Sequence, residues 1–174
     1  MRRIIYFVAS SLDGFIARQD GGIDWLFTDQ DYGYTEYLAG IDTVVMGRKT
    51  YELCLTFGEY PYRDRKNFVF SRSATDFVHA DAVNEPVADF VGRLRREPGK
   101  DVWLIGGGEL AGAFFAAGVV DELRVFVHPI LIGSGLPLAA GLSKDVKLRL
   151  QGTQAFDTGL VKLAYDVVRE KHDA

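Results

Sequence analysis

Short apolar runs recur along the chain, each closed by a glycine-rich or polar break and usually followed by apolar residues spaced three and four apart. Ile4 to Ala9 is the first such run and predicts a buried strand. Ser10, Ser11, Asp13 and Gly14 break it, and Phe15 to Ala17 resumes before a turn at Asp20–Gly21–Gly22. Thr28 or Asp29 is placed to cap a helix reaching about Leu38, with Tyr34, Tyr37, Leu38 and Ile41 at helical spacing. Thr43 to Met46 predicts a strand ended by Gly47. A helix opens at Arg48, with Tyr51, Cys54 and Leu55 on one face and Gly58 as its stop. Lys66 to Phe70 and Phe77 to Ala80 predict two more strands. Asn84 then caps a helix with Val87, Phe90, Val91 and Leu94 inward, ending at Pro98–Gly99.

The strongest pattern is Val102 to Ala117. Val102 to Ile105 predicts a buried strand, Gly106, Gly107 and Gly108 follow, and Leu110, Ala113, Phe114 and Ala117 share one helix face before Gly118. Glu122 to His128, Val146 to Leu150 and Leu160 to Val168 predict the closing strands. In the last, Val161, Leu163, Tyr165 and Val167 alternate with Lys162 and Asp166, as in an antiparallel strand with one open face. Pro129 to Leu138 fits either a bulged edge or a contact between two copies of the chain.

Composition narrows the function. The chain has 174 residues, 48% hydrophobic and 25% charged, an ordinary balance for one globular domain spanning residues 1–174. A net charge of −4 argues against a general nucleic-acid or membrane-surface binder. Cys54 is the only cysteine, which excludes an intrachain disulfide and a Cys-rich zinc site, and no metal is expected. The apolar run after Arg2 and Arg3 is too short for a signal peptide, and no stretch approaches a membrane span. A cytoplasmic protein is expected.

Three predicted strand ends carry groups suited to an anion. Glycines after a strand let backbone approach a ligand closely, and a helix start offers free N–H groups and a positive dipole end. Gly106 to Gly108, with Glu109 and Leu110, form one such junction, although the glycines alone fit a plain turn equally well. Gly47, Arg48, Lys49 and Thr50 form another; its cations oppose the helix dipole unless an anion lies between. Ser71 and Arg72 end the third strand. Asp24 reads as a catalytic carboxylate or, more ordinarily, a cap; Trp25 reads as core or as the wall of a pocket.

The order of these elements resembles dihydrofolate reductase. It is closer still to the riboflavin-biosynthesis reductase domains and their stand-alone relatives. Gly47–Arg48–Lys49–Thr50, Arg65–Lys66–Asn67 leading to Ser71–Arg72, and Ile105–Gly106–Gly107–Gly108 carry the first likeness. Ser11–Leu12–Asp13–Gly14, Asp24–Trp25 and the His128–Pro129 stretch through Gly135 carry the second. The resemblance implies an α/β three-layer fold of the dihydrofolate-reductase type, with a mostly parallel central sheet, helices on both faces and an antiparallel C-terminal strand. It implies an NADPH-dependent reductase acting on a small pterin- or ribosylaminopyrimidine-like substrate. By match, Ala9, Gly47, Arg48, Lys49, Thr50, Ser71, Arg72, Ile105, Gly106, Gly107, Gly108, Glu109 and Leu110 would bind the cofactor, with a cis bond at Gly106–Gly107. A cation cluster also favours NADPH over NADH through the 2′-phosphate. Asp13 and Asp31 are the candidates for proton supply, and together with Trp25 and Arg65 for substrate contacts. The dihydrofolate reductase pattern has an acid five positions after its loop tryptophan; here that position is Gln30, flanked by Asp29 and Asp31. This departure keeps a second expectation open, a protein that binds NADP(H) in a regulatory role without turnover. A homodimer is expected from the apolar Pro129 to Leu138 stretch.

Overall fold

The computed structural model describes residues 1–73 and 76–169. In chain order the strands and helices are β1 (Ile4–Ser11), β2 (Phe15–Ala17), α1 (Tyr34–Ala39), β3 (Ile41–Gly47), α2 (Arg48–Leu55), β4 (Lys66–Phe70) and β5 (Asp81–Val83). They continue with α3 (Val87–Arg96), β6 (Asp101–Gly106), α4 (Gly108–Ala116), β7 (Glu122–His128), β8 (Leu136–Pro137), β9 (Leu148–Ala155) and β10 (Val161–Val167). One eight-stranded sheet has the order β5-β4-β3-β6-β1-β7-β10-β9, and β2 pairs with β8 in a small second sheet. The first six strands of that order run parallel; β10 pairs antiparallel with both β7 and β9.

Alternate residues of the central strands feed two separate cores, which makes three layers. Ile4, Tyr6 and Val8 of β1, with Val102 and Leu104 of β6, pack against Phe90 and Leu94 of α3 and Ala111 and Phe114 of α4. Ile5, Val44, Met46 and Trp103 point the other way, against Tyr37 of α1 and Tyr51 and Cys54 of α2. Because both faces are covered, these strands read as continuous apolar runs. Burial pushes the Cys54 thiol up to about 11, so it packs as a small apolar group.

Several elements depart from the sequence reading. The predicted helix from Thr28 is a single short helix beginning at Tyr34, because Asp31 supplies its side chain to Gly33 and Thr35 and holds residues 28–33 as a loop. Phe77 and Ala80 form only an isolated bridge, and the edge strand is Asp81–Val83. α3 begins at Val87 after Pro86, two residues later than an Asn84 cap would start it. In α4 the inward face is Ala111, Phe114 and Phe115, while Ala113 and Ala117 are exposed. Leu55 of α2 is exposed as well. The Pro129 to Leu138 stretch is a loop ending in β8, closed on β2 within the same chain. Among the described residues no helix is long and apolar enough to cross a membrane.

Candidate active site

Parallel pairing brings the three anion-suited strand ends to one edge. Gly47 lies opposite Phe70 in the β3–β4 register and Met46 opposite Gly106 in the β3–β6 register, so the chain leaves β4, β3 and β6 side by side. The two glycine junctions touch. A methyl group on Gly47 would sit 4.0 Å from the Gly106 carbonyl, and one on Gly107 would sit 3.9 Å from Thr50 Oγ1. Neither α2 nor α4 has a side-chain cap at its start, so unfilled N–H groups of both helices lie along this edge. Arg48 and Lys49 are exposed there, with Arg48 only 3.5 Å from Glu52 one turn along, a loose surface pair. Ser71 is fixed beside them by its N–H, which donates to the Val83 carbonyl at 3.0 Å, and Arg72 is exposed. Ile105 and Leu110 are half-buried and Glu109 is exposed at the start of α4. The Gly106–Gly107 peptide is cis, and Gly106 has φ 121°, a backbone region that favours glycine.

Gly108 has a second duty. A methyl group on it would lie 2.2 Å from the Pro137 carbonyl oxygen, and the Gly108 carbonyl accepts the Ala140 N–H at 2.9 Å. Its bare backbone is what lets the chain after β8 cross α4.

A cavity of about 460 Å³ opens at the same sheet edge, over the ends of β1 and β7. Phe7, Ala9, Phe126 and His128 come from the strands, and Leu26, Phe27, Thr28, Gln30, Asp31, Tyr32 and Tyr34 come from the loop before α1 and its first turn. Its walls are largely aromatic, and among the described residues no lysine or arginine lines it. Asp31 is in this cavity, its carboxylate accepting the Thr35 hydroxyl at 2.7 Å and the Gly33 N–H at 3.1 Å. The bond from Thr35, followed by the neighbouring backbone N–H groups, holds its carboxyl below the usual range. Tyr32 has φ 52°, a strained value for a bulky residue. Its hydroxyl holds it there, donating to Asp29 at 2.7 Å and lying 3.1 Å from Thr158, with its ring edge-on to Phe156.

His128 is 2% exposed and was legible in the sequence only as part of a motif. Its Nε2 accepts the Phe27 N–H at 3.1 Å, which leaves Nδ1 to donate to the Phe126 carbonyl at 3.0 Å. Burial holds the imidazole below its ordinary range, so near neutrality it is a neutral ring with both nitrogens engaged. Trp25, 7% exposed, packs edge-on to that ring at 5.2 Å, behind the cavity wall. A buried histidine ending an apolar strand is the available signal, and Phe7, Phe27, Tyr32 and Phe126 gave none beyond looking like core.

The remaining candidates sit elsewhere. Asp13 accepts the Ser11 hydroxyl at 2.6 Å and the Gly133 N–H at 2.8 Å, tying the turn after β1 to the loop before β8. The Ser11 bond above all keeps its carboxyl low. Asp24 pairs with Arg18 at 2.6 Å on the surface. Arg65 donates to the Leu38 carbonyl at 3.3 Å and lines a more open cavity of about 760 Å³ at the opposite ends of β4 and β5, with Arg63, Lys66 and His79. Each of those three cations faces a carboxylate there: Arg63 to Glu59, Arg65 to Asp64 and Lys66 to Glu97. The smaller cavity, lined by Phe7 and Ala9 of β1, opens on the same sheet edge as the glycine junctions; the larger one opens on the other.

Residues 2–162 match the family model of the RibD C-terminal domain. The chain belongs to that family. The uncharacterized protein YyaP of Bacillus subtilis (strain 168) is 35% identical over 94% of both chains. A Shewanella sp. PV-4 crystal structure provisionally named a riboflavin biosynthesis protein superposes with a TM-score of 0.87 at 27% identity, covering 97% of this chain and 100% of that one. The diaminohydroxyphosphoribosylaminopyrimidine deaminase/5-amino-6-(5-phosphoribosylamino)uracil reductase of Thermotoga maritima shares the fold, with TM-score 0.75 at 17% identity over 96% of this chain and 57% of its own.

Proposed function

We propose that the protein is an NADPH-dependent reductase that delivers hydride to a small planar heterocycle. The observation that carries this reading is the contact between the Gly47 and Gly106 junctions beside an aromatic cavity on one sheet edge. Membership of the RibD C-terminal domain family supports it. The residues fit a dinucleotide: two uncapped helix starts and the exposed Arg48, Lys49 and Arg72 suit its phosphates, and no atom comes closer than 3.9 Å to a methyl placed on Gly107. Arg48, Lys49, Thr50, Ser71 and Arg72 would hold the phosphates, with Ile105 through Leu110 along the pyrophosphate and Ala9 beneath the ring. When bound, the nicotinamide supplies the hydride. Phe7, Phe27 and Phe126 flatten and desolvate the acceptor ring, and the Asp31 carboxylate accepts a hydrogen bond from it. Neither Asp31 nor neutral His128 holds a spare proton near pH 7, so the proton comes from water at the cavity mouth.

The test is a titration with NADPH and NADH followed by tryptophan fluorescence, then NADPH oxidation with a panel of oxidised pterins and pyrimidines. Micromolar NADPH binding, much weaker NADH binding and turnover of a panel member are expected. Absence of NADPH binding defeats the proposal. The engaged Asp31 and the Gln30 beside it favour a second reading, NADP(H) binding without turnover; binding with no oxidation across the panel would select it.

A further inference from the structure

Lys162 stands at the rim of the cavity and, among the described residues, has no acid to pair with. Lys162 of β10 lies opposite Phe126 of β7 in the sheet register, so its side chain rises on the cavity face next to that ring. Its Nζ is 5.7 Å from the Phe126 ring centroid. A methyl group on Gly33, which lies between the cavity residues Tyr32 and Tyr34, would be 3.8 Å from the same nitrogen. Among the described residues Lys162 forms no ion pair. Most exposed basic side chains around the sheet edges do pair, as Arg3 does with Asp101 and Arg149 with Asp166. On its other side Lys162 pairs in register with the exposed Gln154 of β9. Among the described residues no helix covers β10 and β9 on this face, since α1 and α2 pack over β1, β3 and β6. The cavity therefore runs out onto an open shelf floored by Phe126, Lys162 and Gln154.

We propose that Lys162 is a specificity residue for an oxyanion, a carboxylate or phosphate, carried on a short substituent of the acceptor ring. This rests on the reading of the aromatic cavity as the substrate site. The cavity itself holds only the Asp31 carboxylate as a charge and would repel an anion placed inside it. An anionic group is accepted only where the substituent leaves the cavity over Phe126 and meets the Lys162 ammonium, with the Gln154 amide as a second donor. The ring faces the carboxylate and the tail faces the ammonium, which sets the orientation as well as the selection.

Direct binding without cofactor tests this on matched pairs that differ by one anionic group: pterin-6-carboxylate against 6-methylpterin, and uridine monophosphate against uridine. Calorimetry on the wild-type protein is expected to show the anionic member of a pair bound about tenfold more tightly, with the preference weakening in high salt. The two pairs separate carboxylate from phosphate. In Lys162→Gln the preference falls to within about twofold, and in Lys162→Arg it is largely restored; a thermal melt confirms that both variants fold. Equal binding of both members by the wild type, a preference that survives Lys162→Gln, or no binding of any of the four overturns the proposal. An NADPH titration of the wild type runs alongside: its failure defeats the proposed reductase, while the pair comparison still stands or falls by itself.

Discussion

The Phe27 N–H donates to Nε2 of His128 across 3.1 Å, joining the cavity loop to a strand 101 residues further along the chain. The imidazole is both the acceptor that holds the loop and, through Nδ1, a donor to its own strand. Protonation would turn the acceptor into a donor facing another donor. Since burial lowers the folded-state pKa, the unfolded chain binds the proton more readily. The stabilisation is complete above the unfolded value of about 6.5 and is lost as pH falls below it. The thermal midpoint of the wild type is therefore expected to be flat above that point and to fall below it. Asp13 and Asp31 act in the same direction but only near and below about pH 4, since their folded values are low. His128→Gln, whose amide oxygen can still accept, should flatten the near-neutral dependence. His128→Ala should cost about 2–4 kcal/mol through the unpaired N–H and the vacated space. An unchanged slope in His128→Gln would contradict this.

Alanine substitutions along the glycine segment should separate architecture from binding. A methyl on Gly108 meets the Pro137 carbonyl at 2.2 Å, and one on Gly112 meets the Ala140 carbonyl at 1.7 Å. Both variants should lose about 2–3 kcal/mol or more in denaturant unfolding, because backbone must move. Gly107→Ala finds its nearest neighbour, Thr50 Oγ1, at 3.9 Å and should fold normally while weakening NADPH binding. Equal stability of all three would show that the segment after β8 yields freely.

Arg48 and Arg72 are both exposed at the shared edge. Arg48→Ala and Arg72→Ala should leave the melting temperature unchanged and weaken NADPH by about tenfold each, with little effect on NADH for whichever arginine meets the 2′-phosphate. Fluorescence titration at two salt concentrations checks this; identical losses for the two cofactors would remove the 2′-phosphate assignment.

Asp31 holds Thr35 and lines the cavity at once. Asp31→Asn should lower the melting temperature slightly and raise KM for a reducible ring more than it lowers kcat. A fall in kcat with unchanged KM would instead make Asp31 part of the chemical step.

Much of the frame was legible because it depends on neighbours in sequence. Lys66 to Phe70 and Glu122 to His128 have strand bounds that match the structure, since each is a run buried on two faces between polar breaks. The cis Gly106–Gly107 bond and the three strand ends on one edge also follow from local pattern and resemblance. In α4 the pattern places Leu110 and Phe114 correctly against the core but turns Ala113 and Ala117 inward, because an alanine-rich helix offers little contrast between faces and the chain crossing Gly108 and Gly112 decides which side is buried.

The sequence by itself determined where the elements lie and which turns present bare backbone, because periodicity, glycine and proline act within a few residues. Only the tertiary structure decided what the polar groups do. Asp13 is engaged by Gly133, His128 by Phe27, and Lys162 stands over Phe126 with no acid beside it among the described residues. Whether a charge or a donor remains available to a ligand depends on partners brought close by strand order, and strand order is set by how two separate cores pack on opposite faces of one sheet.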